Sequence, residues 1–87
     1  MVGKTNAVTA REAYAYIKAT YTAGLICTAT NGTKTITAPN TLGVYVFGIP
    51  EPNQTPEIWT VNATNGSNTS SETVSITSRY QIETVSL

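Results

Sequence analysis

The sequence predicts an all-β fold, an antiparallel β-sandwich of about seven strands, and three observations carry that prediction. The chain is rich in Thr, Val and Ile, whose β-branched side chains favour extended backbone. Apolar and polar residues alternate in short runs, the period of a strand with one face buried. Turn signals built from Gly, Pro and Asn separate those runs at intervals of about 8–12 residues.

The elements follow in order. Residues 1–13 are small and polar with no clear period, and read as an N-terminal arm; residues 14–87 read as the sandwich domain. The segment 12–18 contains Ala and Tyr and admits a helical reading. A strand entering at Tyr14 is preferred, because Ile17, Ala19 and Tyr21 alternate with Lys18 and Thr20. Thr22-Ala23-Gly24 ends it. Residues 25–30 form the second strand, with Leu25, Cys27 and Ala29 on one face and Ile26, Thr28 and Thr30 on the other. Asn31-Gly32 then predicts a hairpin of type I′, whose two central residues both need positive φ. The third strand returns over residues 33–38, and Pro39, Asn40 and Gly43 frame a connection.

Residues 44–49 form the fourth strand, with Tyr45, Phe47 and Ile49 facing one way. A loop with three prolines occupies residues 50–56, since Pro cannot donate to a ladder. The fifth strand, residues 58–64, points Trp59, Val61 and Ala63 to one side. Asn65-Gly66 marks a second hairpin, residues 69–76 the sixth strand and residues 80–87 the seventh. The expected core is Trp59, Phe47, Tyr45, Val61, Ile49, Cys27 and Val74. Around the two hairpins, residues 28–33 and 62–67 echo one another, as two Asn-Gly hairpins in a Thr-rich chain would.

At 87 residues this is one small domain, with no room for a large internal cofactor. Five basic and five acidic residues balance, and charged residues are 11% of the chain. That leaves no basic patch for a phosphate backbone, so no nucleic-acid partner is expected. No apolar run reaches the roughly 18 residues of a membrane span, so no membrane partner is expected either. The first ten residues lack the basic-then-apolar layout of a secretory leader.

Enzyme chemistry finds few residues to use. With no His and no Asp, a Ser-His-Asp triad and a His-based metal site are excluded, and calcium sites normally cluster Asp. A carboxylate pair would need two of Glu12, Glu51, Glu57, Glu72 and Glu83 to converge, whereas scattered Glu usually serve as solvated surface. No glycine-rich phosphate loop is present. The expectation is therefore no enzyme, and no catalytic, cofactor or metal site. Cys27 is unpaired and lacks a basic neighbour in sequence, so it reads as a small core residue rather than a reactive thiol. Trp59 reads as core rather than as a sugar-stacking platform. Tyr14, Tyr16 and Tyr80 fall at the sandwich ends, where they can join an interface. Five Asn-x-Ser/Thr patterns, at Asn31, Asn53, Asn62, Asn65 and Asn68, read as chance in a chain of this composition.

The run Gly43-Val44-Tyr45-Val46-Phe47-Gly48-Ile49-Pro50, followed by Ile58-Trp59-Thr60-Val61-Asn62-Ala63-Thr64-Asn65-Gly66, resembles Ig-like and transthyretin-like sandwich domains. Carboxypeptidase-regulatory-like and Cna-B-like domains are of this kind. Cna-B-like domains often carry a Lys–Asn cross-link, and Lys18 has a plausible first-strand position. The last strand offers neither Asn nor Asp, so the cross-link is not carried over. The narrower likeness is to short Ig-like modules of bacteriophage structural proteins. It runs from Tyr16 to Leu87 and includes Ile17-Lys18-Ala19-Thr20-Tyr21, Thr73-Val74-Ser75-Ile76-Thr77 and the closing residues 80–87. It implies a non-catalytic virion structural protein: a capsid decoration, head-fibre or tail accessory subunit. Its partners would be other virion proteins, or itself as a homo-oligomer. Such a protein is assembled in the host cytoplasm and released by lysis. The alternative is an adhesion module for carbohydrate or host surface glycans.

Overall fold

A computed structural model gives the fold of residues 13–87, which are the described residues. Seven strands run along the described residues: β1 (Ala15–Thr20), β2 (Ile26–Thr30), β3 (Thr35–Thr37), β4 (Val44–Ile49), β5 (Glu57–Thr64), β6 (Thr69–Ile76) and β7 (Ile82–Ser86). None of the described residues is helical, so the 12–18 segment resolves as strand from Ala15 onward. The strands form two sheets, ordered β4-β1-β7 and β3-β2-β5-β6.

Alternation builds the core. The inward residues Ile17, Ala19, Phe47, Ile49 and Val85 of the smaller sheet meet Cys27, Ala29, Trp59, Val61, Ala63, Val74 and Ile76 of the larger one. Six of the seven expected core residues are buried; Tyr45 is half-buried. Its strand lies at the sheet edge, so one flank of its ring has no covering strand, although it packs edge-on to Phe47 at 4.9 Å. Burying a Trp, a Phe and several β-branched residues at about 1.5–3 kcal/mol each stabilises a domain this small.

The structure departs from the expected pattern in four places. The sandwich is not wholly antiparallel: β7 pairs with β1 in parallel, with Tyr16 opposite Ile82 and Ala19 opposite Val85. Both hairpins differ from type I′. Only the glycines take positive φ, +96° at Gly32 and +95° at Gly66. Asn31 instead starts a four-residue loop: its N–H donates to the Lys34 carbonyl (3.1 Å). Its side-chain oxygen accepts from the N–H groups of Thr33 and Lys34 at 2.9 and 2.7 Å. Asn65 repeats this with Ser67 and Asn68. A side chain that replaces a backbone acceptor wins over the shorter turn, and β3 shrinks because Thr33 and Lys34 belong to the loop. The last strand starts at Ile82 rather than at 80, because Tyr80 has φ of +67°, incompatible with a strand. Finally, Ala13, the last residue of the expected arm, is buried; residues 1–12 lie outside the described residues.

Candidate functional site

The start of β1, the 31–34 hairpin, the 50–56 loop and the 77–81 turn lie at one end of the sandwich. The antiparallel and parallel registers dictate this: Ala15 pairs with Ile49, Tyr16 with Ile82, and Thr30 with Thr60.

The 77–81 turn is built around Gln81. Its side-chain oxygen accepts from the N–H of Thr77 (2.7 Å) and of Ser78 (3.2 Å). Its amide nitrogen donates to the Ser75 carbonyl (2.8 Å) and to Glu83 Oε2 (2.7 Å). The Tyr80 N–H donates to the Tyr14 carbonyl at 2.6 Å, and the Tyr16 N–H to the Gln81 carbonyl at 2.9 Å. These bonds hold Tyr80 in the left-handed region, a cost of about 1–3 kcal/mol for a bulky residue. The Tyr80 side chain is 68% exposed. Arg79 spans the same patch, its guanidinium 4.8 Å from the Tyr14 ring centre and 5.8 Å from that of Tyr80. Arg79 also lies 3.7 Å from Glu51 across an exposed gap, a weak ion pair. Ile82, 71% exposed and level with Tyr16, continues the patch onto the outer face of the smaller sheet.

Beside it an open groove of about 480 Å³ runs between the 31–34 hairpin and the 50–56 loop. Asn31, Lys34, Glu51, Asn53, Gln54 and Glu57 line it with both charges and several amides. Such a lining can hydrogen-bond a polar ligand or the rim of a partner protein. No protein-family model matches the chain, and no curated protein matches its sequence.

The residues weighed from sequence separate clearly. Trp59 is fully buried, and its indole N–H donates to Glu57 Oε1 at 2.8 Å, so it is core and not a sugar platform. Cys27 is fully buried, and burial pushes its thiol pKa up, away from the reactive thiolate. Lys18 is exposed on the outer face between Val46 and Thr84, away from the core where a cross-link of the Cna-B kind would form. The described glutamates fall in two pairs: Glu51 and Glu57 line the groove at the loop end, and Glu72 and Glu83 line a cleft between β6 and β7. Glu12 lies outside the described residues. Among the described residues no three Cys or Glu side chains converge. Two of the five sequon asparagines, Asn31 and Asn65, spend their side-chain oxygens on the hairpins. Of the three tyrosines placed at the ends, Tyr14 and Tyr80 meet around Arg79, while Tyr16 is half-buried level with Ile82.

Sequence reasoning missed Arg79, Gln81 and Ile82. The only signal was that Ser78-Arg79-Tyr80-Gln81 breaks the strand alternation with no Gly, Pro or Asn to mark a turn. The turn is organised by a glutamine side chain, for which no simple sequence rule exists.

Proposed function

We propose that this chain is a non-catalytic structural protein of a bacteriophage virion, a capsid decoration, head-fibre or tail accessory subunit that acts through protein–protein contacts. One observation carries the assembly part of the reading: the Arg79–Tyr80–Ile82 patch. It combines an exposed Tyr, an exposed Ile and a stacked Arg on a turn locked by hydrogen bonds. Tyr and Arg are the side chains that most often dominate interface energetics, and a pre-ordered turn loses little entropy on binding. The virion part rests on the likeness of residues 16–87 to short Ig-like phage modules.

A second reading, attachment to surface glycans, draws on the same Tyr80 ring beside the amide-lined groove, because an exposed aromatic face can stack on a sugar. One experiment separates the two. Particles purified from a lysate of the strain carrying the gene are assayed for the chain by quantitative mass spectrometry, with Tyr80→Ala and Ile82→Lys versions supplied alongside wild type. The assembly reading expects the wild-type chain at a fixed copy number per particle and at least tenfold less of either variant, each folded by circular dichroism. Absence of the wild-type chain from particles overturns it. A chain that is present but whose variants lose only glycan-array binding favours attachment.

A further inference from the structure

Among the described residues four strands form the sheet edges, and the sandwich treats them differently. On one side, β6 and β7 carry Glu72 and Glu83, which share the inward parity of Val74 and Val85 and line one cleft between the sheets. Inward charges on edge strands discourage pairing with another chain, since a new strand there would bury them. On the other side, β3 is only three residues long. Its neighbour β4 has none of these protections. Its six residues, Val44–Ile49, hold no charge and no Pro. Val44 and Val46 are 45% and 41% exposed, and Leu42 just before them is 75% exposed.

Among the described residues, the backbone of β4 has no partner along that edge. Tyr21 N–H donates to the Gly43 carbonyl and Tyr14 N–H to the Ile49 carbonyl, so the odd-numbered residues of β4 face β1. In an antiparallel ladder the even residues, Val44, Val46 and Gly48, then point their N–H and C=O groups outward. Among the described residues, β4 pairs with β1 alone and nothing bonds these three.

We infer that the free edge of β4 pairs antiparallel with β4 of a second copy, about a two-fold axis at Val46. The edge matches its own image at that register. Val46 faces Val46 of the second copy, and Val44 faces Gly48, so a bulky side chain passes over one that is absent. Each such pair exchanges two hydrogen bonds. On the inner face Tyr45 comes opposite Phe47 of the second copy, which covers the flank of the half-buried Tyr45 ring. Leu42 comes alongside Pro50 of the second copy. An edge without charge does not repel its own copy. The nearest like charges are the two Lys18, each one strand in from its β4, and three strand spacings put them about 14 Å apart, beyond the screening length at physiological salt. The product is a continuous sheet, β7-β1-β4-β4-β1-β7, with the Arg79 turns at its two far ends. The pairing concerns the chain alone in solution and does not depend on the virion reading.

Sedimentation of the full chain over a concentration range up to about 1 mM, with amide hydrogen exchange, tests it. Wild type is expected to dimerise, and the N–H groups of Val44, Val46 and Gly48 to become protected with concentration. Val46→Pro removes an N–H that β1 does not use, a tolerated change at an edge. Val46→Lys puts two ammonium groups face to face on the axis. Both are expected to weaken the dimer at least tenfold while the Phe47 amide stays protected; Thr84→Lys on β7 is expected to leave it unchanged. A wild type that stays monomeric throughout, or a dimer that survives both Val46 variants, overturns the pairing. So does a dimer that Thr84→Lys alone dissolves.

Discussion

Trp59 and Cys27 show how single side chains set the stability of this domain. Trp59 fills the space between the sheets, and Glu57, two residues earlier on the same strand, accepts its indole N–H. Trp59→Ala is expected to cost about 3–5 kcal/mol in denaturant unfolding. Glu57→Ala is expected to cost about 1–3 kcal/mol by leaving a buried donor unpaired, and Glu57→Gln, which keeps an acceptor, much less. Equal losses for Ala and Gln would show that the hydrogen bond contributes nothing. Cys27 acts through its proton. Its folded thiol titrates above its ordinary value of 9.0 because burial disfavours the thiolate. The unfolded chain therefore releases this proton first, and stability is complete below the unfolded pKa and falls as pH rises toward the folded one. Tyr21, raised by burial and then by the nearby Cys27, adds to the same loss at higher pH. Unfolding free energy measured from pH 7 to 10 is expected to decline for wild type and to decline less for Cys27→Ala. A disulfide reagent that labels the native thiol as fast as the denatured one would contradict its burial.

At the scale of elements, the two hairpins are the same device used twice. In Thr30-Asn31-Gly32-Thr33-Lys34-Thr35 and Thr64-Asn65-Gly66-Ser67-Asn68-Thr69, the first Thr accepts from the Gly N–H at 3.0 Å. The first and last Thr hydroxyls of each segment meet across the strands at 3.1 and 3.0 Å. The Asn carries two backbone donors, and the Gly supplies the positive φ. Gly66→Ala meets no neighbour, so its cost is conformational, about 1 kcal/mol or more. Asn65→Ala is expected to cost about 1–2 kcal/mol from two lost hydrogen bonds. A double mutant whose losses simply add would show that Asn and Gly act independently; we expect coupling, because both hold one loop. The repeated sequence around these hairpins follows from the shared turn chemistry and requires no duplication.

At the scale of the whole molecule, β1 lies between β4 and β7, and the β1–β7 pair joins the first of the described strands to the last. That contact forms only after the intervening chain has collapsed, so folding in milliseconds to seconds is expected, as for other sandwiches dominated by distant pairings. Removing residues 82–87 would uncover β1 and take Val85 and its neighbours from the core; loss of cooperative unfolding is the expected result, and a truncated chain that still melts cooperatively would refute this role for β7. Deletion of residues 1–12, which keeps the buried Ala13, is expected to leave a cooperative sandwich. Under the proposed assembly role, incorporation at the wild-type level would leave the Arg79–Tyr80–Ile82 patch as the sufficient particle contact, and loss of incorporation would show that the arm is needed as well. Five of the seven large apolar residues exposed among the described residues fall on the outer face of the smaller sheet or at its borders, Leu42, Val44, Val46, Tyr80 and Ile82; the other two, Ile26 and Ile58, lie on the outer face of the larger sheet. The outer face of the larger sheet is instead dominated by hydroxyls, including Thr28, Thr30, Thr60, Thr64 and Thr73.

The sequence by itself determined the strands, their inward faces and the places where the chain turns. These are local properties: β-branched alternation over five to eight residues is visible in the letters, as in Glu57–Thr64 and Thr69–Ile76, and so is an Asn-Gly pair. It also showed that Cys27 and Trp59 serve the core, because alternation assigns a face without reference to a partner. Only the tertiary structure decided which strands are neighbours. The parallel β1–β7 pair, the edge position that leaves Tyr45 half-covered, and the charge-free border of β4 depend on contacts between distant residues that no local pattern encodes. The Arg79–Tyr80–Gln81 turn belongs to the same class. Its backbone is held by one glutamine side chain bonded to Ser75, Thr77, Ser78 and Glu83, and those partners come together only once β6 and β7 have been placed by their own sheets.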